Sequence, residues 1–340
     1  MGLMLEPADI KAAAKRLESG GLVAFPTETV YGLGAAAKSA EAVARVYETK
    51  GRPSNNPLIV HCSDEAMASA CAASWPEAAK KAAAAFWPGP LTLVVERAAS
   101  IPDIVTAGGG TLAVRVPDHP VAVALIEAFG GPIVGPSANP SGYISPTTAD
   151  HVRASFTEDQ VLVLDGGPCR AGLESTVLDL TGEKPTILRR GVIGTEELTP
   201  VLGEVLVAEH ALGAAAPTEA GEAGEAMRSP GVLGPHYKPR APVTLVEDIS
   251  TISRVVSDAG GKVALLGPPG QRVRIGSPHL GVDMPGLASG YARELYAGLR
   301  RADESEPALI VVVFPLLKDS EVWDAIRERL RRAAADTPEA

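Results

Sequence analysis

Along residues 8–200, short apolar runs bounded by Pro, Gly or Asp alternate with amphipathic stretches, which restricts the chain to α/β architectures. LVAFP (22–26), LIVHC (58–62), LTLVV (91–95), LAVRV (112–116), VLVL (161–164) and TVLDL (176–180) read as strands. Helices are predicted over 8–19, 39–49, 64–73, 76–86 and 119–129; Gly20-Gly21 stops the first, while Ser39 caps the second and Gly51 ends it. The Ala/Gly/Glu tract 208–228 has no periodic large apolar residue and reads as part of a linker over 204–240. Beyond it, VTLV (243–246), KVALLG (262–267) and LIVVVF (309–314) alternate with helical stretches near 249–259, 287–301 and 320–334. The expected organisation is a domain over 1–203, the linker, and a second α/β unit over 241–340.

Composition narrows the function. Lys+Arg 31 against Asp+Glu 41 leaves a net charge of −10, which disfavours a polyanion held by bulk charge. Aromatic residues at 4% are too few for a surface that stacks many bases. Three cysteines, Cys62, Cys71 and Cys169, form no CxxC pair, so a reducing, cytoplasmic setting is expected. No Cys/His spacing suggests a structural zinc, and no apolar run is long enough for a membrane span. Walker-type, GxGxxG and GxSxG motifs are absent.

The remaining polar residues gather at strand ends. PTETVYGLG (26–34), KGRPSNNPLIVH (50–61), VRVP with Arg115 inside a strand, GPSANPSGYISPTT (135–148), LEST (173–176) and ILRRG (187–191) are the main groups. Each has an ordinary structural reading. Lys50 can complement a helix C-terminus, Thr147 or Thr148 can cap the next helix, Ser137 and Asn139 suit a tight turn, and His61 suits a core. Arg115 is different, because a buried guanidinium needs an anion: Glu28, Glu174 or a substrate carboxylate. Lys50, Arg52, Arg115 and Arg189 together make a pocket for phosphates and a carboxylate, suited to phosphoryl or nucleotidyl transfer.

FPTETVYGLG, KGRPSNNPLIVH, FWPGPLTLV, VRVP, PSANPSG, SPTT, ESTVLD and ILRRG occur in an order and spacing that resembles the YrdC-like threonylcarbamoyl-AMP synthases. The likeness is to their longer, two-domain form. It implies a YrdC-like open twisted sheet with helices, plus a smaller C-terminal Rossmann-like α/β domain. It also implies that L-threonine, bicarbonate and ATP, with Mg²⁺, become threonylcarbamoyl-AMP and pyrophosphate. The product would feed tRNA N6-threonylcarbamoyladenosine synthesis through a downstream transfer machinery, with direct tRNA binding weak or absent. Carried over by motif, Lys50 and Arg52 form a catalytic basic pair. Thr29, His61, Arg115, Ser137 and Ser175 match threonine contacts. Arg52, Asn56, Thr111, Asn139, Thr147, Arg189 and Tyr237 match ATP contacts. SPGVLGPHYKP (229–239) carries His236 and Tyr237 and is expected to close over the nucleotide, although Val232-Leu233-Gly234-Pro235 departs from the family's basic and aromatic run. The competing readings are a non-catalytic RNA-binding module and a carbamoyl transferase; the zinc-finger and acylphosphatase-like segments of the latter are missing here.

Overall fold

The computed structural model describes residues 6–212, 236–269, 279–314 and 320–335. These fall into two units: 6–141 with 146–212, and 142–145 with the residues from 236 onward. Among the described residues, no helix is long and apolar enough to cross a membrane.

The first unit is built on a sheet of ten strands. In chain order they are β1 (Leu22–Phe25), β2 (Gly32–Ala36), β3 (Ile59–His61), β4 (Leu91–Glu96), β5 (Thr111–Arg115), β6 (Ile133–Val134), β7 (Val161–Val163), β8 (Thr176–Asp179), β9 (Thr186–Arg189) and β10 (Leu206–Val207). Their spatial order is β10-β9-β8-β4-β5-β3-β6-β2-β1-β7, with parallel and antiparallel pairs mixed. Side chains alternate between the two faces. One face carries Leu58, Val60, Leu91, Leu93, Leu112, Val114, Leu178 and Ile187 into the main core, shared with α2 (Ala40–Lys50), α3 (Glu65–Ala70) and α4 (Glu77–Phe86). On the opposite face, α1 (Pro7–Glu18) and α5 (Pro120–Phe129) pack over Val23, Phe25 and Ile133, with Leu162 and Leu164 at the β7 edge.

The rest of that second face, across β3, β5, β4 and β8, holds a small apolar patch of Ile59, Ala113, Val94 and Val177. Register adds polar groups to it. His61 lies opposite Arg115, Arg115 is in line with Thr92, and Val177 lies opposite Arg189. A sheet face outside the reach of its covering helices is where the polar strand-end residues collect.

The expected strands and helices of this unit are present, with additions. β2, with the sequence GLGAA, lacks the large β-branched residues that mark strands, and is held by its antiparallel neighbours β1 and β6. Residues 204–212 were expected to begin the linker. Instead β10 adds a parallel strand beside β9, and a 3₁₀ turn (Glu209–Leu212) follows, with Ala211 O accepting from Arg190 Nε at 3.0 Å. The linker from 213 to 235, including 229–235 of the expected lid, lies outside the described residues.

The second unit has a parallel sheet of β11 (Val243–Val246), β12 (Val263–Gly267), β13 (Leu280–Asp283) and β14 (Leu309–Val313), ordered β11-β14-β12-β13. It also has α8 (Ile252–Asp258), α9 (Ala288–Glu304) and α10 (Val322–Ala334). Residues 142–145 belong to this unit through side-chain and backbone hydrogen bonds. Tyr143 Oη donates to Asp303 Oδ2 at 2.6 Å, Arg300 donates to Ile144 O and stacks over the Tyr143 ring, and Lys238 N donates to Gly142 O at 2.8 Å. Asp303, 2% exposed, also accepts from Ala241 N and Arg240 Nε. Asp303→Ala removes the carboxylate that accepts from the Tyr143 hydroxyl and from the buried Ala241 N–H. It should cost on the order of 2–4 kcal/mol in chemical denaturation; a loss below about 1 kcal/mol would show that this network does not hold the segment.

Candidate active site

The loop after β1 is folded by its own hydroxyls. Thr27 Oγ1 accepts from Thr29 N and Val30 N, at 3.1 and 3.2 Å, and donates to Val30 O at 2.6 Å. Because the Thr27 proton is used, the Thr29 hydroxyl donates across the 2.8 Å gap to Thr27. Thr29 Oγ1 in turn accepts from Arg115 Nη1 at 2.9 Å. Arg115, 3% exposed, also donates through Nε to Gly89 O at 3.1 Å and pairs through Nη2 with Glu28 Oε1 at 2.7 Å. Of the two carboxylates that the sequence offered Arg115, the structure selects Glu28.

The same loop joins the other groups. Tyr31 N donates to Pro146 O, and Ala138 N donates to Tyr31 O, so Ser137 and Thr147 flank the segment that holds Arg115. Lys50 Nζ, at the end of α2, donates to Ser137 O and Asn139 O, both at 2.5 Å. Gly51 adopts φ 59° there, the left-handed turn that lets the chain leave the helix. Lys50 is 3% exposed, and burial together with neighbouring Arg52 holds its ammonium well below the usual lysine range. It is therefore a cross-tie for the PSANPSG loop, beyond the helix-end role its position suggested. Arg52 grips its own loop, with Nη2 to Asn56 Oδ1 at 2.5 Å and to Pro57 O at 2.8 Å.

On β8 and β9, Arg189 donates to Ser175 O and Oγ, and Ser175 Oγ lies 2.7 Å from Thr92 Oγ1. Thr92 escaped notice in the sequence because one threonine within LTLVV reads as an ordinary strand residue; its alternation with Leu91 and Leu93 was the available signal. Thr148 accepts from His151 N and is the N-cap of α6 (Ala149–Arg153), which leaves Thr147 free of that duty. Thr147 Oγ1 sits 3.4 Å from His151 Nδ1. Thr111 opens β5, at the far end from Arg115 but on the same face.

Tyr237, expected to contact ATP, lies in the second unit. It is 4% exposed, its ring is stacked on Tyr296 at 5.3 Å, and Arg329 lies over it at 5.9 Å.

Two family models cover the chain. One, described as "Telomere recombination" and spanning the Sua5, YciO and YrdC proteins, matches residues 15–191. The other, described as "Threonylcarbamoyl-AMP synthase, C-terminal domain", matches residues 193–335. The chain belongs to the Sua5 family of threonylcarbamoyl-AMP synthases.

Among its relatives, the threonylcarbamoyl-AMP synthase of Pyrococcus abyssi is 38% identical over 97% of this chain and 95% of its own length. That of Bacillus subtilis is 38% identical over 96% and 92%. The crystal structure of the P. abyssi Sua5 complexed with L-threonine matches with a TM-score of 0.86 and 36% identity, over 97% of this chain and 95% of that one. A Sua5 fold of mixed sheet and parallel second sheet is thus shared over nearly the whole chain.

His61 gives this Sua5-type site a titration signature. Its ring meets Phe25 edge-on, with centroids 5.5 Å apart. Burial first, and the positive charge of Arg115 second, depress its pKa to about 3. The unfolded chain, with an ordinary value near 6.5, therefore binds more protons than the folded one between the two values, and stability falls as the pH drops through that window. The contribution is about 1.4 kcal/mol per pH unit below roughly 6.5. His61→Gln should flatten the acid limb of urea-denaturation stability over this range. An unchanged limb would mean that the folded protein already carries a protonated His61.

Proposed function

We propose that the chain makes threonylcarbamoyl-AMP from L-threonine, bicarbonate and ATP on the sheet face that carries Arg115. One observation supports this above others: a guanidinium buried within a strand and aimed by Glu28, Thr29 and Gly89 O, as recognition of a substrate carboxylate requires. Threonine's carboxylate binds Arg115, with His61, Ser175 and Ser137 around it. Its amine takes up a carboxyl group from bicarbonate, and an oxygen of that carbamate forms a bond to the α-phosphorus of ATP as the bond to pyrophosphate breaks.

Two anions meet in that step, so fixed positive charge must offset their repulsion. Arg52, Asn56, Asn139, Thr147, Arg189 and Thr111 are assigned to the nucleotide, with Lys50 holding the Ser137–Asn139 loop in place beside it. Among the described residues, no three His, Cys, Asp or Glu side chains converge as a metal cage. Mg²⁺ would arrive on the triphosphate oxygens of ATP and keep most of its waters. The adenylate would then serve a tRNA-modifying transfer reaction.

The test is pyrophosphate release with each substrate omitted in turn. Release that needs ATP, threonine and bicarbonate together is expected, whereas RNA binding without turnover would favour a binding module. Arg115→Lys keeps the charge that Glu28 needs but loses the two-pronged geometry. It should raise the threonine KM about 10- to 150-fold while leaving the ATP KM within about twofold; equal effects on both would remove Arg115 from the threonine site.

A further inference from the structure

Beside Arg115 lie buried acceptors with no donor among the described residues. Glu28 is 4% exposed, and neither of its carboxylate oxygens receives an aligned hydrogen bond, although Oε1 sits 2.7 Å from Arg115 Nη2. His61 Nδ1, on the neighbouring strand, is also buried and has no aligned hydrogen-bond partner. Acceptors of this kind are costly in a folded protein unless a ligand supplies the missing protons. An α-amino acid whose carboxylate sits on Arg115 carries an ammonium one carbon away, with three N–H donors.

We propose that Glu28 binds the ammonium of the substrate and takes the proton that carbamate formation releases. This rests on the reading of Arg115 as the threonine-carboxylate site. The ammonium gives one proton to a Glu28 oxygen, and the freed lone pair forms the N–C bond to bicarbonate. The C–OH bond breaks, and the hydroxyl leaves as water with a second proton from nitrogen. Threonine and bicarbonate thus yield carbamate, water and one proton, which stays on Glu28 until solvent collects it.

The surroundings suit this task. Besides Arg115, the ionisable groups near Glu28 are His119 and Cys169. Burial, ahead of the pull of Glu28 itself, lowers the His119 pKa, and Asp118 and Arg170 face that ring from outside. Burial pushes the Cys169 thiol up to about 12. Both are uncharged at neutral pH, so Arg115 is the charge that faces Glu28. A substrate carboxylate arriving on Arg115 divides the attraction of the guanidinium between two anions, and the ammonium between them completes a four-charge ring.

The experiment compares the full chain with Glu28→Gln and Glu28→Asp from about pH 6.5 to 9.5, measuring pyrophosphate release and, by calorimetry without ATP, threonine binding. Glutamine keeps the shape and can accept from the ammonium but cannot take its proton. At pH 7 its kcat should fall about 100-fold with the ATP KM within about twofold. Its log kcat should then climb with unit slope toward high pH, where solvent base removes the proton, while the wild type stays flat. Glu28→Asp should retain the wild-type profile at reduced kcat. Parallel profiles for wild type and Glu28→Gln overturn the proposal. If Glu28→Gln does not fold, an undiminished kcat in Glu28→Asp overturns it. Absence of threonine binding by the wild type overturns the amino-acid reading itself, a distinct outcome from binding with parallel profiles.

Discussion

A guanidinium buried in the middle of a sheet is the constraint around which the first unit is arranged. Replacing an ion pair such as Arg115–Glu28 by well-packed hydrophobic residues often leaves stability unchanged or raises it, so the pair is retained for what it positions. The strand β5 aims Arg115, the hydroxyl chain from Thr29 through Thr27 to Val30 O fixes the facing loop, and Gly89 O holds the guanidinium's remaining edge. With each partner itself tied down, the guanidinium has little rotamer freedom to lose when an anion arrives.

The loops around it are cross-braced in the same way. Lys50 bonds the 137–141 loop in both directions: its Nζ donates to Ser137 O and Asn139 O, and its carbonyl oxygen accepts from Ser141 N at 2.7 Å. Gly191 approaches β8 so closely that a Cβ there would lie 2.3 Å from Thr176 N, which brings the chain after Arg189 against Ser175. Rigid loops at the ends of rigid strands keep opposed charges a fixed distance apart, which is what a reaction between two anions requires.

Much of this was legible in the sequence, and the failures have physical causes. Strands rich in Val, Leu and Ile and helices with a polar start and a glycine stop announced themselves. β2 did not, because glycine and alanine carry no strand signature and its position is imposed by neighbours in the sheet. β10 has two residues, and α7 (Thr195–Leu202) contains Pro200, so local rules argued against both. Arg115 stood out because a charge amid valines demands a partner; which carboxylate met it was a long-range matter. The loop that Lys50 holds was not legible, because its two acceptors lie nearly ninety residues away in the chain. The tyrosine of the His236-Tyr237 pair could be noticed from sequence, but the direction of its ring depended on Tyr296 and Arg329.

The segment 142–145 gives the order of synthesis a physical consequence. Tyr143 leaves the ribosome 160 residues ahead of Asp303, its hydrogen-bond partner. At ~5–20 residues per second, that is a wait of about 8–32 s. The last strand of the first unit, β10, ends at Val207, so that sheet is complete in the chain before Asp303 emerges, while the stretch joining Asn139 to Thr147 has yet to meet the residues that anchor it. The second unit cannot be released as a continuous fragment, since four of its residues are spliced into the sequence of the first. A nascent chain therefore acquires the framework of its site before the last of that loop's anchors, which arrives only with Asp303.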